Sequence, residues 1–356
     1  MIMGRPDTND GSGYSVVRLR KRASAFFESL SIVELVQERY RNRWVLDWTR
    51  IGNEYRTLAE SARQSGLTQI AREECLCSLT ALEVAKSLCC QENPARVDLE
   101  VGSTLSSFDG YLGKSIERVE VDYLDHGLLS GFFFRAPCHG SPAPAIICVA
   151  DDEVTLHSIA RRLLPASVGR EISLLLIDGS NATIRRPFRP EHILACWLDY
   201  LESRPDVDIK RIAIYGEGMG AHYASNLALS DRRIAAAVCD GSLWTSVRRR
   251  ALVPWMTGVE MRVGDKSWIG SLRLSRRVPC PILVVVGHRS MVREQDAVEL
   301  QADCRQAGAD CSIVVPNRII YPPDEIENFI AVDDFVLDWI GFKFGSAGRF
   351  DPVTYL

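Results

Sequence analysis

The sequence has no long apolar run and no excess of basic charge, and each absence argues against one class of protein. No window approaches 18 uninterrupted apolar residues, so we expect no membrane-spanning helix. The first 13 residues contain no apolar core, so we expect no secretory signal at this end. The net charge of −4 argues against nucleic acid as a general partner, because nucleic-acid-binding proteins usually carry a basic balance.

Cysteine and histidine are not arranged as metal ligands. None of the 11 cysteines forms a C-x-x-C pair, and no histidine lies at zinc-ligand spacing from them. An odd cysteine count without a signal peptide is typical of a reducing cytoplasm, where the thiol acts as a small hydrophobic group. We therefore predict a cytoplasmic location, no metal and no cofactor. The 6 histidines end at His288, so the last part of the chain supplies no imidazole.

Hydrophobic periodicity divides the chain into a helical part and an α/β part. Apolar residues recur at three- and four-residue steps between Ser24 and about residue 93, which predicts helices. From Ile116 short apolar runs alternate with helical segments, as in a largely parallel sheet covered by helices on both faces. We predict a flexible arm over 1–22, a helical domain over 23–115, an α/β domain over 116–345 with a lid-like segment over 242–279, and a tail over 346–356.

The most informative motif lies in the middle of the α/β part. Residues Ile212 to Tyr223 read I-A-I-Y-G-E-G-M-G-A-H-Y, a buried strand that runs into a glycine-rich turn and then a helix. This is the frame of G-x-S-x-G, in which a sharp turn raises a serine hydroxyl above a sheet. The central position is Gly218, which has no hydroxyl, thiol or carboxylate. No acyl-enzyme can therefore form at this turn.

Further motifs extend the pattern over most of the chain. They are W-x-x-I-G-N-E-Y-R-x-L-A-x-x-A in the helical part, L-S-G-F-F-F-R-A-P before the sheet and C-P-I-L-V-V-V-G after the lid-like segment. In this order the motifs resemble the α/β-hydrolases with an N-terminal helical domain, the group around FrsA and 2,6-dihydropseudooxynicotine hydrolase. The resemblance implies an α/β-hydrolase fold, a homodimer, and a catalytic triad in the chain order nucleophile, acid, histidine.

Carried onto this chain, the triad positions fall on Gly218, Ser290 and about Tyr321, and none has the residue type that the family uses. A serine hydrolase needs a base to take the hydroxyl proton and a carboxylate to orient that base. We therefore predict that the triad mechanism has been lost. Tyr321 has two interpretations, since a phenol can act as a weak acid or can simply fill the volume of the missing histidine.

Other polar residues are expected at the carboxyl ends of the strands, where α/β sheets bind their ligands. Asp151 and Asp152 are candidate acid/base groups, and the alternative for either is to cap the following helix. Glu217 and His222 have packing inside the structure as their alternative, and Asp178 has a turn role. The candidates for the oxyanion hole and for ligand binding are Met219, Ala150, Asp178, Glu217, His222, Asp240 and Trp244.

Two functions fit these observations. The first is an enzyme that acts on a small, partly apolar organic molecule by acid/base chemistry without an acyl-enzyme. The reaction would be of the lyase, decarboxylase, isomerase or cyclase type, in secondary or catabolic metabolism. The decarboxylase branch is implied by the resemblance to FrsA alone. The alternative is a catalytically inactive pseudohydrolase that binds a small molecule or has a regulatory role.

Overall fold

The computed structural model describes residues 14–89, 116–123, 127–137, 141–151, 156–177, 190–243, 278–287, 290–321 and 324–345. The chain forms two compact units. The first contains residues up to 113 together with 161–169, and the second contains the remaining residues. Most of the predicted lid-like segment, residues 244–277, lies outside the described residues. No described helix combines the length and the hydrophobicity needed to cross a bilayer.

The first unit is built mainly from α-helices. They are α1 (Tyr14–Ser29), α2 (Ile32–Leu35), α3 (Glu38–Gln64) and α4 (Thr68–Leu88). Helices α3 and α4 pack closely at Gly52, where an added Cβ would lie 2.7 Å from the Leu82 side chain. At the same contact the Ser78 hydroxyl donates a hydrogen bond of 2.8 Å to the Gly52 carbonyl. A small residue on α3 therefore sets the spacing of this helix pair.

Two details of the predicted domain boundaries differ from the structure. The flexible arm predicted over 1–22 is wrong from Tyr14 onward, where α1 begins. Val16, Leu19 and Ala23 recur at helical spacing and are buried, so an apolar face holds this basic segment in a helix. Residues 161–169 belong to the first unit, where Arg161 pairs with Glu83 at 3.0 Å.

The second unit is a mixed sheet flanked by helices, as predicted. Its strands are β1 (Ile116–Asp122), β2 (Leu128–Phe134), β3 (Ala143–Val149), β4 (Ser173–Ile177), β5 (Val207–Glu217), β6 (Ala236–Asp240), β7 (Ile282–Val285) and β8 (Cys311–Val314). They are ordered β1-β2-β4-β3-β5-β6-β7-β8, with β1 and β2 antiparallel and the rest parallel. A separate hairpin pairs β9 (Arg318–Tyr321) with β10 (Asp324–Glu327).

The helices of the second unit flank the sheet, and the core that they share with it identifies which strand side chains face them. They are α5 (Leu156–Ser167, shared with the first unit), α6 (Pro190–Glu202), α7 (Met219–Ser230), α8 (Glu294–Gln306) and α9 (Phe329–Lys343). Ile212 and Ile214 of β5 share one core with apolar residues of α6 and α7. Because side chains alternate along a strand, Tyr215 and Glu217 point to the opposite face.

Candidate functional site

The turn between β5 and α7 has the geometry expected of the nucleophile elbow. Gly218 joins the two elements with φ 49° and ψ −117°, a left-handed backbone that side chains rarely adopt. The two flanking glycines are required by contact. A Cβ added at Gly216 would overlap the Gly220 carbonyl, and one added at Gly220 would overlap the carbonyl of Val149. The start of α7 is therefore packed directly against the carboxyl end of β3.

This packing brings the side chain of Asp151, just after β3, over the elbow. The Met219 amide donates a hydrogen bond of 3.1 Å to Asp151 Oδ1. A Cβ added at Gly218 would overlap Asp151 Oδ2 and Cγ. The carboxylate therefore occupies the volume from which a nucleophilic side chain would rise, at the positive end of the α7 dipole. Asp151 therefore bonds to the N-terminus of α7.

The two amides predicted for an oxyanion hole have other partners. The Met219 amide bonds to the Asp151 carboxylate. The Ala150 amide donates to the Ile177 carbonyl at 3.3 Å, which extends the pairing of β3 with β4 by one residue. The Ala150 N–H is therefore committed to the sheet, and Asp152 and Glu153 of the same predicted donor loop lie outside the described residues.

Below the elbow, a buried tyrosine hydroxyl lies between two buried carboxylates. Tyr215 Oη is 2.8 Å from Glu217 Oε1 and 3.1 Å from Asp240 Oδ2, and the two acids are 1% and 7% exposed. Glu217 and Asp240 face each other in the β5–β6 register, so both lie on the sheet face opposite α7. Asp240 also anchors the elbow, because its backbone carbonyl accepts the Gly218 amide at 2.8 Å.

No sequence pattern points to Tyr215, since a tyrosine in an apolar strand is typical of the core. A spacing of two residues from Glu217 does place both on one strand face. The thiols nearest this cluster are not nucleophiles. Burial, with the charge of Glu217, raises the pKa of the Cys148 thiol well above its usual range. Burial, with Cys280 and Asp240 nearby, does the same to Cys239.

His222 lies one turn into α7, and both of its ring nitrogens contact the protein. Nδ1 is 2.9 Å from the Leu243 carbonyl, and Nε2 is 3.3 Å from Asn226 Nδ2. A carbonyl only accepts, so the neutral tautomer protonated on Nδ1 fits both contacts. This imidazole joins α7 to the segment after β6, which is a structural role.

The residues at the other two triad positions lie on separate elements. The Ser290 hydroxyl donates to the Val292 carbonyl at 2.8 Å and accepts the Val292 amide at 3.1 Å, which makes a local turn. Tyr321 ends β9, opposite Asp324, and is 4% exposed. Its predicted catalytic role stays a prediction. The candidates Asp152, Asp178 and Trp244 lie outside the described residues.

Two further polar groups lie at this edge of the sheet. A Cβ added at Gly287, just after β7, would lie 2.7 Å from Glu327 Oε2, so this carboxylate stands at the end of β7. Ser242, two residues after β6, is 1% exposed, and its hydroxyl has no hydrogen-bond partner among the described residues. Glu327 is the last residue of β10, in a hairpin whose course the sequence does not reveal, which is why its position was missed.

Comparisons with known proteins agree with this fold. No known protein-family profile matches the chain. The 2,6-dihydroxy-pseudo-oxynicotine hydrolase superimposes with a TM-score of 0.54 at 16% identity, covering 91% of this chain and 94% of the other. An acylaminoacyl peptidase of Pyrococcus horikoshii superimposes with a TM-score of 0.50 at 12% identity, covering 67% of this chain and 43% of the peptidase.

One curated relative is detected by sequence. It is a Fusarium protein described as hydrolase LUC6, 26% identical over 185 residues. The match covers 47% of this chain, and the chain spans 44% of that relative's length. Together the structural neighbours confirm the predicted fold class: an α/β-hydrolase fold with an N-terminal helical region.

Proposed function

We propose that this protein acts on a small organic molecule at the carboxyl edge of its sheet by acid/base chemistry, without an acyl-enzyme. The reaction is of the lyase, decarboxylase, isomerase or cyclase type, and Asp151 is the proton-transferring group. The observation that carries the proposal is the Asp151 carboxylate, held by the Met219 amide in the space of the missing nucleophile.

The case against hydrolysis by a triad rests on three positions. Gly218 stands at the elbow, the Ser290 hydroxyl is bound in its own turn, and no histidine follows His288. Hydrolases and peptidases share this fold, but a fold supports many chemistries and the site decides among them. At identities of 12% and 16%, the structural neighbours share the fold with this chain, and their reactions cannot be assigned to it.

The case for acid/base chemistry rests on what replaces the nucleophile. A carboxylate can take a proton from a substrate and return it to another atom of the product, so the net reaction needs no co-reactant. Asp151 lies at the carboxyl end of a parallel strand, where open α/β sheets bind their ligands. The hydrogen bond from Met219 fixes the orientation of the carboxylate, and positioning is a large part of a proton-transfer catalyst's effect.

A catalytically inactive ligand-binding or regulatory protein is the second candidate. It is favoured by the internal bonding of groups that were candidates for catalysis. Glu217 and Asp240 are bonded to the Tyr215 hydroxyl, and both nitrogens of His222 contact the protein. In this version Asp151 orients a ligand but transfers no proton.

The absence of an acyl-enzyme is tested directly with a fluorophosphonate probe and an activated p-nitrophenyl ester. We expect no labelled serine, and ester hydrolysis at the rate of buffer alone. Stoichiometric labelling of a serine at the carboxyl edge would contradict the proposal.

An enzymatic function and a purely ligand-binding function are distinguished with a small-molecule extract of the source organism. The extract is incubated with the wild-type protein and with Asp151→Asn, which keeps the size of the side chain and removes its basicity. If the protein is an enzyme, mass spectrometry of the extract will show a compound that the wild type consumes and that Asp151→Asn leaves unchanged. A compound retained by both proteins and chemically unchanged indicates the binder.

A further inference from the structure

We infer that the ligand of this site is recognised through its own hydrogen-bond donors, a hydroxyl or an amine, and not through a carbonyl or carboxylate oxygen. The inference rests on the proposed function, because it concerns the same site and specifies the chemical class that enters it. Its physical basis is a reversal of hydrogen-bond polarity at the elbow.

An elbow of this geometry normally presents a backbone N–H at the start of its helix to an oxygen of the substrate. Here the Met219 N–H is bonded to Asp151 Oδ1, and the second predicted donor, the Ala150 N–H, is bonded to the Ile177 carbonyl. A substrate oxygen that came to this position would compete with a carboxylate of the protein for the same donor. These two donors are therefore already satisfied from within the chain.

The group that Asp151 places over the elbow has the opposite polarity. An ionised carboxylate accepts about four hydrogen bonds and donates none. The Met219 amide bonds to Oδ1, and Oδ2 lies where the Cβ of residue 218 would be. A hydroxyl or ammonium group can bond to such an oxygen, whereas a carboxylate or a carbonyl oxygen is repelled by it.

Ser242 provides an independent observation on the neighbouring strand. Its side chain is 1% exposed, and its hydroxyl has no hydrogen-bond partner among the described residues. Because β5 and β6 are adjacent and Glu217 pairs with Asp240, Gly218 and Ser242 follow neighbouring strand ends. Buried hydroxyls are almost always hydrogen-bonded in native proteins. A ligand hydroxyl, which accepts as well as donates, would supply the partner that the described residues do not.

The test uses three fragments of one size: benzyl alcohol, benzylamine and benzoate. Their affinities are measured by ligand-observed NMR titration on the wild type, on Asp151→Asn and on Asp151→Ala. We expect the wild type to bind the alcohol and the amine and to reject benzoate. In Asp151→Ala the Met219 amide is released, so benzoate should bind at least fivefold more tightly than to the wild type, and the amine at least fivefold more weakly. Asp151→Asn should weaken the amine more than the alcohol, because the charge is lost and an acceptor oxygen is kept.

A second arm examines Ser242. The Ser242→Ala variant should weaken benzyl alcohol about threefold or more and leave the order of amine over benzoate unchanged. The matched control is Ser225→Ala, which removes an equally buried hydroxyl that is bonded to the His222 carbonyl at 2.9 Å. This control should bind all three fragments as the wild type does.

The inference is overturned if benzoate binds the wild type as tightly as benzylamine, if Asp151→Ala leaves the order unchanged, or if the wild type binds neither donor-bearing fragment. These outcomes are distinct from failure of the proposed function. A protein that prefers donor-bearing fragments but transforms no compound of the extract keeps this inference and loses the enzymatic proposal. Labelling of a serine by a fluorophosphonate ends the proposal and is independent of the fragment order.

Discussion

Carboxylates are withdrawn from water in both units of the molecule, and the two units treat them differently. At the carboxyl edge of the sheet, Asp151 receives the Met219 amide, and the pair Glu217 and Asp240 shares the Tyr215 hydroxyl. In the helical unit, Glu74 Oε2 is buried and has no hydrogen-bond partner among the described residues. Burial and the neighbouring Glu73 raise the pKa of Glu74 to about 7.

The difference lies in the hydrogen-bond donors that reach the carboxylates, and these decide which protonation state is favoured. Hydrogen bonds donated to a carboxylate stabilise its charged form, whereas burial without donors favours the neutral acid. At the carboxyl edge, the Met219 amide donates to Asp151, and the Tyr215 hydroxyl lies within hydrogen-bond distance of Glu217 and Asp240. In the helical unit, the raised pKa keeps the Glu74 side chain protonated up to a higher pH than an exposed glutamate. Three substitutions test this contrast, and we take them in order of expected effect.

The largest effect is expected from Gly218→Ser. The new Cβ would overlap the Asp151 carboxylate and break its bond to Met219, so we expect a loss of about 3 kcal/mol in the free energy of unfolding, measured by urea denaturation. Esterase activity should stay at background, because a serine without its base is a weak nucleophile.

The matched control for that variant is Gly308→Ser. Gly308 also has a positive φ, of 73°, but an added Cβ meets no atom within 4 Å, so only backbone strain of about 1 kcal/mol is expected. Adding Asp151→Ala to Gly218→Ser should recover part of the loss, because the two side chains compete for one volume. Equal costs for the two glycine variants would remove Asp151 from its assigned position over the elbow. A rise in ester hydrolysis above about a hundredfold would reveal another residue acting as base.

A smaller effect is expected from Tyr215→Phe. The substitution keeps the ring and deletes the hydroxyl between Glu217 and Asp240, whose single proton bonds to one of these two buried acids at a time. We expect the protein to lose about 2 kcal/mol of stability in urea denaturation. Tyr40→Phe is the comparison, since its hydroxyl accepts a long hydrogen bond of 3.5 Å from Arg39 on the exposed side, and we expect a loss of about 0.5 kcal/mol there. A similar cost for both would mean that the buried pair does not depend on Tyr215.

The fold could be predicted from sequence because its signals are local. Short apolar runs between helical segments indicate a parallel sheet, and glycines at 216, 218 and 220 indicate a sharp turn between a strand and a helix. Helix α1 was missed in its first half, because the basic residues between Arg18 and Arg22 obscured the apolar face of Val16, Leu19 and Ala23.

The candidate site could be predicted only in part, because its contacts join distant segments. Asp151 was selected for its place after a buried strand, but its bond to Met219 depends on the close approach of Gly220 to β3. The hydroxyl of Tyr215 reaches Asp240 only through the register of β5 with β6. The contact of Glu327 with Gly287 depends on the path of a hairpin. Periodicity carries no information on such registers and approaches.

The smallest effect is expected from Glu74→Gln in the helical unit, read as a change in pH dependence. The pKa of Glu74 is raised from 4.5 to about 7 in the folded protein, so folding favours its protonated form. The stability that this provides is fully present below about pH 4.5 and is lost as the pH rises through 7. Glu74→Gln removes the titration, so the variant should match the wild type near pH 4.5 and exceed it at pH 8. Because the side chain is partly exposed, we expect the gain at pH 8 to be about 1 kcal/mol, or about 2–4 °C in Tm. The difference in Tm between Glu74→Gln and the wild type should grow between pH 5 and pH 8. If it does not, Glu74 is not withdrawn from water as the structure has it.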